Sequence, residues 1–91
     1  MSKVRIPPVM RSGTGGARDV EAQGSTVGEV LDNLVLQYPA LGDQLYEDRQ
    51  LRRFVNVYLN DQDIQYLDKL QTEVGPQDTV IILPAMAGGG R

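Results

Sequence analysis

The stretch from Thr26 to Pro39 limits what this chain can fold into more than any other. Thr26-Val27-Gly28-Glu29 fits the S/T-x-x-E capping box, in which a hydroxyl and a carboxylate satisfy free backbone donors at a helix start. Val27, Val30, Leu31, Leu34, Val35 and Tyr38 follow at helical spacing, and Pro39 stops the run. Glu29, Asp32, Asn33 and Gln37 fall on the opposite, solvated face, and Leu36 lies outside the stripe, half exposed. A lone amphipathic helix must bury its apolar stripe against something, and the remainder of the chain offers mainly strands.

Those strands are short and punctuated. Lys3 to Val9 carries Val4 and Ile6 before Pro7 and Pro8 cut it off, and Arg18 to Gln23 places Val20 and Ala22 on one face. The glycine-rich turn between them makes a hairpin. Gly13 to Gly16 lacks the GK[S/T] ending of a phosphate-cradling loop and precedes no helix, so it reads as a plain hairpin loop using glycine for positive φ. Leu41 to Asp48 suggests a further helical turn with Leu41 and Leu45 inward, and Glu47 to Arg53 a charged connection. Phe54 to Asn60 is a strand with Val55, Val57 and Leu59 on one face and Phe54, Asn56 and Tyr58 on the other. Asn60 to Asp63 reads as a turn, Ile64 to Leu67 as a short edge strand, Leu67 to Val74 as a loop or short helix, and Gly75 to Asp78 as a turn. Asp61, Asp63, Asp68 and Asp78 lack the loop glycine and closing glutamate of a calcium loop, and turn chemistry accounts for them. Thr79 to Leu83 is apolar on both faces, as suits a central strand.

The expected fold is therefore α+β, a mixed sheet with one main helix on one face. Val4, Ile6, Val80 and Ile82 can all face Leu31 and Leu34 if the first and last strands lie side by side in the middle, the arrangement called the β-grasp. Residues 1–83 form this domain and 84–91 a flexible tail.

Composition removes whole classes of function. The 91 residues include no Cys or His, so thiolate nucleophiles, disulfides, zinc fingers and the commonest general base are all missing, and no self-contained catalysis is expected. A net charge of −3 repels phosphate backbones, so nucleic acid is not an expected partner. No apolar segment approaches the roughly 20 residues that span a bilayer, and no signal-peptide pattern begins the chain, so no membrane role and a cytoplasmic location are expected. Exposed arginines are common, so Arg49, Arg52 and Arg53 read as ordinary surface, with steering of an acidic partner as the functional alternative. Phe54 and Tyr58 fit a partner-docking surface and ordinary cross-strand packing equally.

The working part is the end. Pro84-Ala-Met-Ala-Gly-Gly-Gly-Arg91 follows directly on the last apolar run, and six residues from Pro84 to Gly89 span about 20 Å when extended. Glycines at such a tip pass a narrow channel and leave both faces of a carbonyl open.

With Arg53-Phe-Val-Asn-Val-Tyr-Leu-Asn-Asp61, Gly75-Pro-Gln-Asp-Thr-Val-Ile-Ile-Leu-Pro84 and Ala85-Met-Ala-Gly-Gly89, the chain resembles the ubiquitin-like sulfur carriers, the MoaD/ThiS family, over nearly its whole length. The family includes the small subunit of molybdopterin synthase and the thiamine-biosynthetic carrier, and the resemblance is strongest to its actinobacterial cysteine-biosynthetic branch. It implies that the carboxylate of Gly89 is adenylated by a separate, ubiquitin-activating-enzyme-like adenylating enzyme and sulfurtransferase. Ala87, Gly88 and Gly89 would thread into that partner, which uses ATP; the carrier itself binds no cofactor. Sulfur then replaces the adenylate, and the thiocarboxylate serves a sulfur-accepting synthase, in the cysteine branch a pyridoxal-phosphate enzyme. A metalloprotease then releases the cysteine. Family carriers end at the diglycine, whereas this sequence runs on to Gly90 and Arg91. The expectation is that Gly90 and Arg91 are removed on processing, with the same kind of metalloprotease as the candidate peptidase; an appended end, or activation at Gly90 after loss of Arg91 alone, are the alternatives. The other functional readings are a protein modifier joined to target lysines and a non-catalytic interaction module.

Overall fold

The computed structural model describes residues 1–48, 50–53 and 55–84. Two short strands open the chain, β1 (Ser2–Arg5) and β2 (Asp19–Ala22), paired antiparallel from Ser2 opposite Ala22 to Arg5 opposite Asp19. The hairpin is as expected, but its connection is not a plain glycine loop. Pro8–Thr14 winds into a 3-10 helix that buries Met10 and Thr14, and β1 ends at Arg5, short of the expected Val9. Pro7 and Pro8 explain both: they cannot extend the ladder, and proline is preset for a helical first turn. The Thr14 hydroxyl donates within the loop, to the Arg11 carbonyl at 3.1 Å or that of Ala17 at 2.8 Å. Only Gly15 and Gly16 adopt positive φ there; Gly13 is small for a different reason, since a Cβ at that position would sit 2.8 Å from a Leu41 methyl.

The helix α1 (Val27–Gln37) begins as the capping box requires. The Glu29 amide donates to the Thr26 hydroxyl at 3.2 Å, and the Glu29 carboxylate accepts from the Ser25 amide at 2.8 Å. Val27, Val30, Leu31 and Leu34 are fully buried. Leu36 is 79% exposed, more than the half expected, because no element packs on that side. A short helix α2 (Gly42–Leu45) follows a 3-10 turn at Pro39–Leu41, and Leu41 and Leu45 point inward as the spacing suggests.

Glu47 to Arg53 contains structure where a bare connection was expected: β3 (Tyr46–Glu47) and β4 (Gln50–Leu51) pair as a separate two-stranded ribbon. Then come β5 (Val55–Leu59), β6 (Gln62–Asp63) and β7 (Thr79–Pro84). The edge strand is thus Gln62–Asp63, and Ile64–Tyr66, expected to be that strand, is a 3-10 turn that drives Ile64 into the core. The Asp63 carboxylate caps it by accepting from the Gln65 amide at 2.9 Å.

The five main strands are ordered β2-β1-β7-β5-β6. The first and last strands are neighbours and parallel, Val4 beside Val80, while β5 pairs antiparallel with β7 from Val55 opposite Pro84 to Leu59 opposite Val80. Val4, Ile6, Val80 and Ile82 are buried under Leu31 and Leu34. This is the β-grasp. Burying each large aliphatic side chain contributes about 1.5–3 kcal/mol.

Candidate functional site

The end of β7 is where the structure concentrates its positioning. β7 is the middle strand of five, paired with β1 on one edge as far as Ile81 and with β5 on the other as far as Pro84. Its start is fixed as firmly. Asn60, in a left-handed turn with φ 57°, donates its amide to the Thr79 carbonyl at 2.8 Å and accepts the Thr79 amide on its side-chain oxygen at 3.0 Å. Its side-chain nitrogen donates to Asp78 at 3.2 Å, and the other Asp78 oxygen accepts the Gly75 amide at 2.8 Å. That backbone hydrogen bond, aided by Asn60, holds the Asp78 carboxyl below the ordinary carboxylate range despite some opposing desolvation.

Alternation along β7 divides its side chains between two faces. Val80 and Ile82 enter the core; Ile81 and Leu83 lie on the outer face, which α1 does not cover, and Leu83 is 43% exposed. Tyr58, half-buried, stands opposite Ile81, and Asn56 opposite Leu83. Arg5 sits beside Ile81 on the other flank and is paired with Asp19 at 3.2 Å. Ile81 and Leu83 were not singled out from sequence as surface residues. Their signal was there: a strand apolar on both faces in a sheet with one covering helix leaves one apolar row outside.

The remaining candidates are distributed as follows. Gly89, Ala87, Gly88, Gly90, Arg91 and Phe54, and with them Arg49, lie outside the described residues. Arg52 is committed to the fold: its Nε donates to the Asp43 carbonyl at 2.7 Å, its amide to the Leu45 carbonyl at 2.9 Å, and its guanidinium pairs with Glu47 at 3.6 Å. It fastens the strand leading into β5 to the end of α2. Arg53 is exposed beside it. Burial first, then the charge and hydrogen bond of Asp32 at 3.4 Å, push the Tyr46 hydroxyl up to about 12, so it stays protonated near neutrality. Among the described residues no helix is long and apolar enough to cross a membrane.

A β-grasp domain whose last strand is central and carries an apolar outer row, Ile81 and Leu83, has the fold of the ubiquitin-like proteins. The chain belongs to the ThiS family, whose model matches residues 4–89. It is 40% identical over 89 residues to the sulfur carrier protein CysO of Mycobacterium tuberculosis, covering 94% of this chain and 96% of that protein. A chain in the crystal structure of the Amycolatopsis orientalis BexX/CysO complex superposes with a TM-score of 0.89 at 42% identity, covering 98% of this chain and 100% of that one. The small archaeal modifier protein 3 of Haloferax volcanii is 37% identical over 65 residues, 71% of each chain.

Proposed function

We propose that this protein is a sulfur carrier whose reactive end is the Gly89 carboxylate. The observation that carries the proposal is the register of β7, held by β1 as far as Ile81 and by β5 as far as Pro84, which fixes the residue from which the tail departs. The family match closing at Gly89 supports placing the reactive carboxylate there and treating Gly90 and Arg91 as residues to be removed first. The likeness to CysO favours cysteine biosynthesis as the destination of the sulfur.

A carboxylate is a poor electrophile and must be activated. In the proposed sequence an adenylating partner positions the Gly89 carboxylate to attack the α-phosphorus of ATP, forming the acyl adenylate and expelling pyrophosphate. Hydrosulfide, or a sulfur donor equivalent to it, then attacks the acyl carbon and AMP leaves, giving a thiocarboxylate. The carrier's own contributions are reach and access: Pro84, expected in the tail, is the last residue of β7, so five residues, Ala85 to Gly89, span about 17 Å, and the two glycines at the tip enter a channel that side chains would block. The folded domain binds the partner through Tyr58, Ile81 and Leu83, with Phe54 as a further candidate, which offsets the cost of ordering the tail. The ATP belongs to the partner's site. A sulfur-accepting synthase and a tail-processing metalloprotease complete the set of partners.

The test is the intact mass of the protein before and after incubation with host extract, ATP and sulfide. Loss of Gly-Arg followed by exchange of one terminal oxygen for sulfur is the expected result. A mass that keeps Arg91 and never gains sulfur overturns it. The similarity to an archaeal modifier protein favours one other reading, conjugation to target lysines, and a ladder of isopeptide-linked products would establish that instead.

A further inference from the structure

Charge is divided unevenly between the first hairpin and the remainder of the chain. Residues 1–25 hold Lys3, Arg5, Arg11 and Arg18 against Asp19 and Glu21, a balance of +2 in a chain of −3, so the other residues carry −5. Along β1 the buried Val4, and Ile6 just beyond the strand, alternate with Lys3 and Arg5, which puts both cations on the outer face of the sheet. Register then sets them against the last strand: Arg5 lies beside Ile81 and Lys3 beside Thr79, one strand spacing of about 4.8 Å away. The hairpin does not neutralise itself. Arg5 meets Asp19 through Nε at 3.2 Å and Arg18 meets the other oxygen of the same carboxylate at 3.5 Å, so one acid serves two guanidiniums whose side chains stay 46% and 67% exposed. The hydrogen bond from Arg5 first, then the charges of Arg5, Arg18 and Lys3, hold the Asp19 carboxyl below the ordinary carboxylate range against some desolvation. Glu21 is opposite Lys3, both exposed, and no ion pair joins them among the described residues. Arg11 is committed to the fold, its Nε donating to the Ile6 carbonyl at 3.0 Å.

We propose that Lys3, Arg5 and Arg18 form a cationic flank of the docking surface, and that the adenylating partner sets carboxylates against it beside the patch that receives Ile81 and Leu83. The partner's identity rests on the sulfur-carrier reading, whereas the charge arrangement does not. Cations one strand away from an apolar row match a protein face that is itself part apolar and part acidic; a polyphosphate has no use for the row, and the −5 elsewhere on the chain repels it. The surface also has a direction. From Ile81 the same cross-strand row runs through Tyr58 to Asp63, so its other flank ends on a carboxylate. An acidic partner edge therefore fits only when it lies over β1, and that orientation brings the end of β7 to a single place on the partner. Exposed charges of this kind act mainly on encounter and orientation, and salt screens them.

Exchange of labelled pyrophosphate into ATP tests it. The full chain and its K3E, R18E and K69E variants, which alter net charge by the same amount, are each incubated in host extract until their mass shows Gly90 and Arg91 removed, and exchange is then measured against protein concentration. K3E and R18E should raise the half-saturating concentration about tenfold at low salt, and K69E by less than about twofold. The difference should close near 0.5 M salt, where charges are screened within about 5 Å. Melting curves check that the variants fold, and if K3E is destabilised beside Glu21, R18E decides alone. K3E and R18E that match K69E overturn the inference and leave sulfur carriage standing; no exchange with the wild type overturns both. A dimer in sedimentation that R18E dissociates would place the acidic face on a second copy, and duplex DNA bound by the wild type but not by R18E would assign the patch to nucleic acid; either result overturns the proposal.

Discussion

Gly24 stands where β2 passes into the start of α1, and a Cβ there would lie 2.6 Å from the Val30 nitrogen and 2.8 Å from the Glu29 carbonyl carbon. Both are helix backbone and cannot swing aside. Gly24→Ala is expected to cost about 1–3 kcal/mol, the usual range for overpacking. In a domain of this size each kcal/mol lowers the melting temperature by about 4–8 °C, so thermal denaturation decides it, and an unchanged melting curve would refute the close approach. Asp78 has a pH signature. Its folded-state carboxyl is held low by the Gly75 amide and by Asn60, so its contribution is present above the unfolded value and lost as pH falls through the folded one. Denaturant titrations should therefore show wild type's margin over Asp78→Ala shrinking below about pH 4. A margin constant across that acid range would exclude the linkage. The Gly75-to-Asp78 turn and the turn role of Asp63 were legible in sequence, because an aspartate hydrogen-bonds backbone a few residues away. Gly24 was not, because its constraint comes from a helix it meets only in three dimensions.

Among the elements, α1 was the most legible: cap, stripe and stop are all written within one short stretch of neighbouring residues, and the structure follows them. Thr26→Ala removes the hydroxyl that accepts the Glu29 amide and should destabilise the protein by about 1 kcal/mol, read by urea denaturation. A change near zero would mean that the Glu29–Ser25 half of the box carries the cap. Short segments were read less well. Pro8–Thr14 became a 3-10 helix, Ile64–Tyr66 a 3-10 turn instead of a strand, and Tyr46–Leu51 a small ribbon in place of a bare connection. Over so few residues apolar alternation and a helical turn place the same side chains inward, and tertiary contacts choose between them. Ile64 is buried either way; only the backbone path differs.

For the molecule as a whole, the sheet order sets the working geometry. Placing β7 between β1 and β5 holds its first three residues on both edges and its end at Pro84 against β5, and puts Leu83, Ile81 and Tyr58 together on the open face. Leu83→Asp, at a position 43% exposed, should leave the melting temperature nearly that of wild type while weakening binding to the proposed adenylating partner at least about tenfold, measured by calorimetric titration. Unchanged affinity would move the docking surface elsewhere. The sequence by itself determined the parts: one capped helix, a set of short apolar strands, a proline-limited first hairpin and a glycine-tipped end, each set by local periodicity and by what Pro and Gly permit. It also carried the resemblance that the ThiS match bears out. The tertiary structure alone decided which strands touch, that Arg52 is a fastener rather than a free charge, and that Arg5 stands beside the apolar outer row of β7. Backbone hydrogen bonds pair any residue types, so strand adjacency is chosen by how all the apolar faces close over one core together.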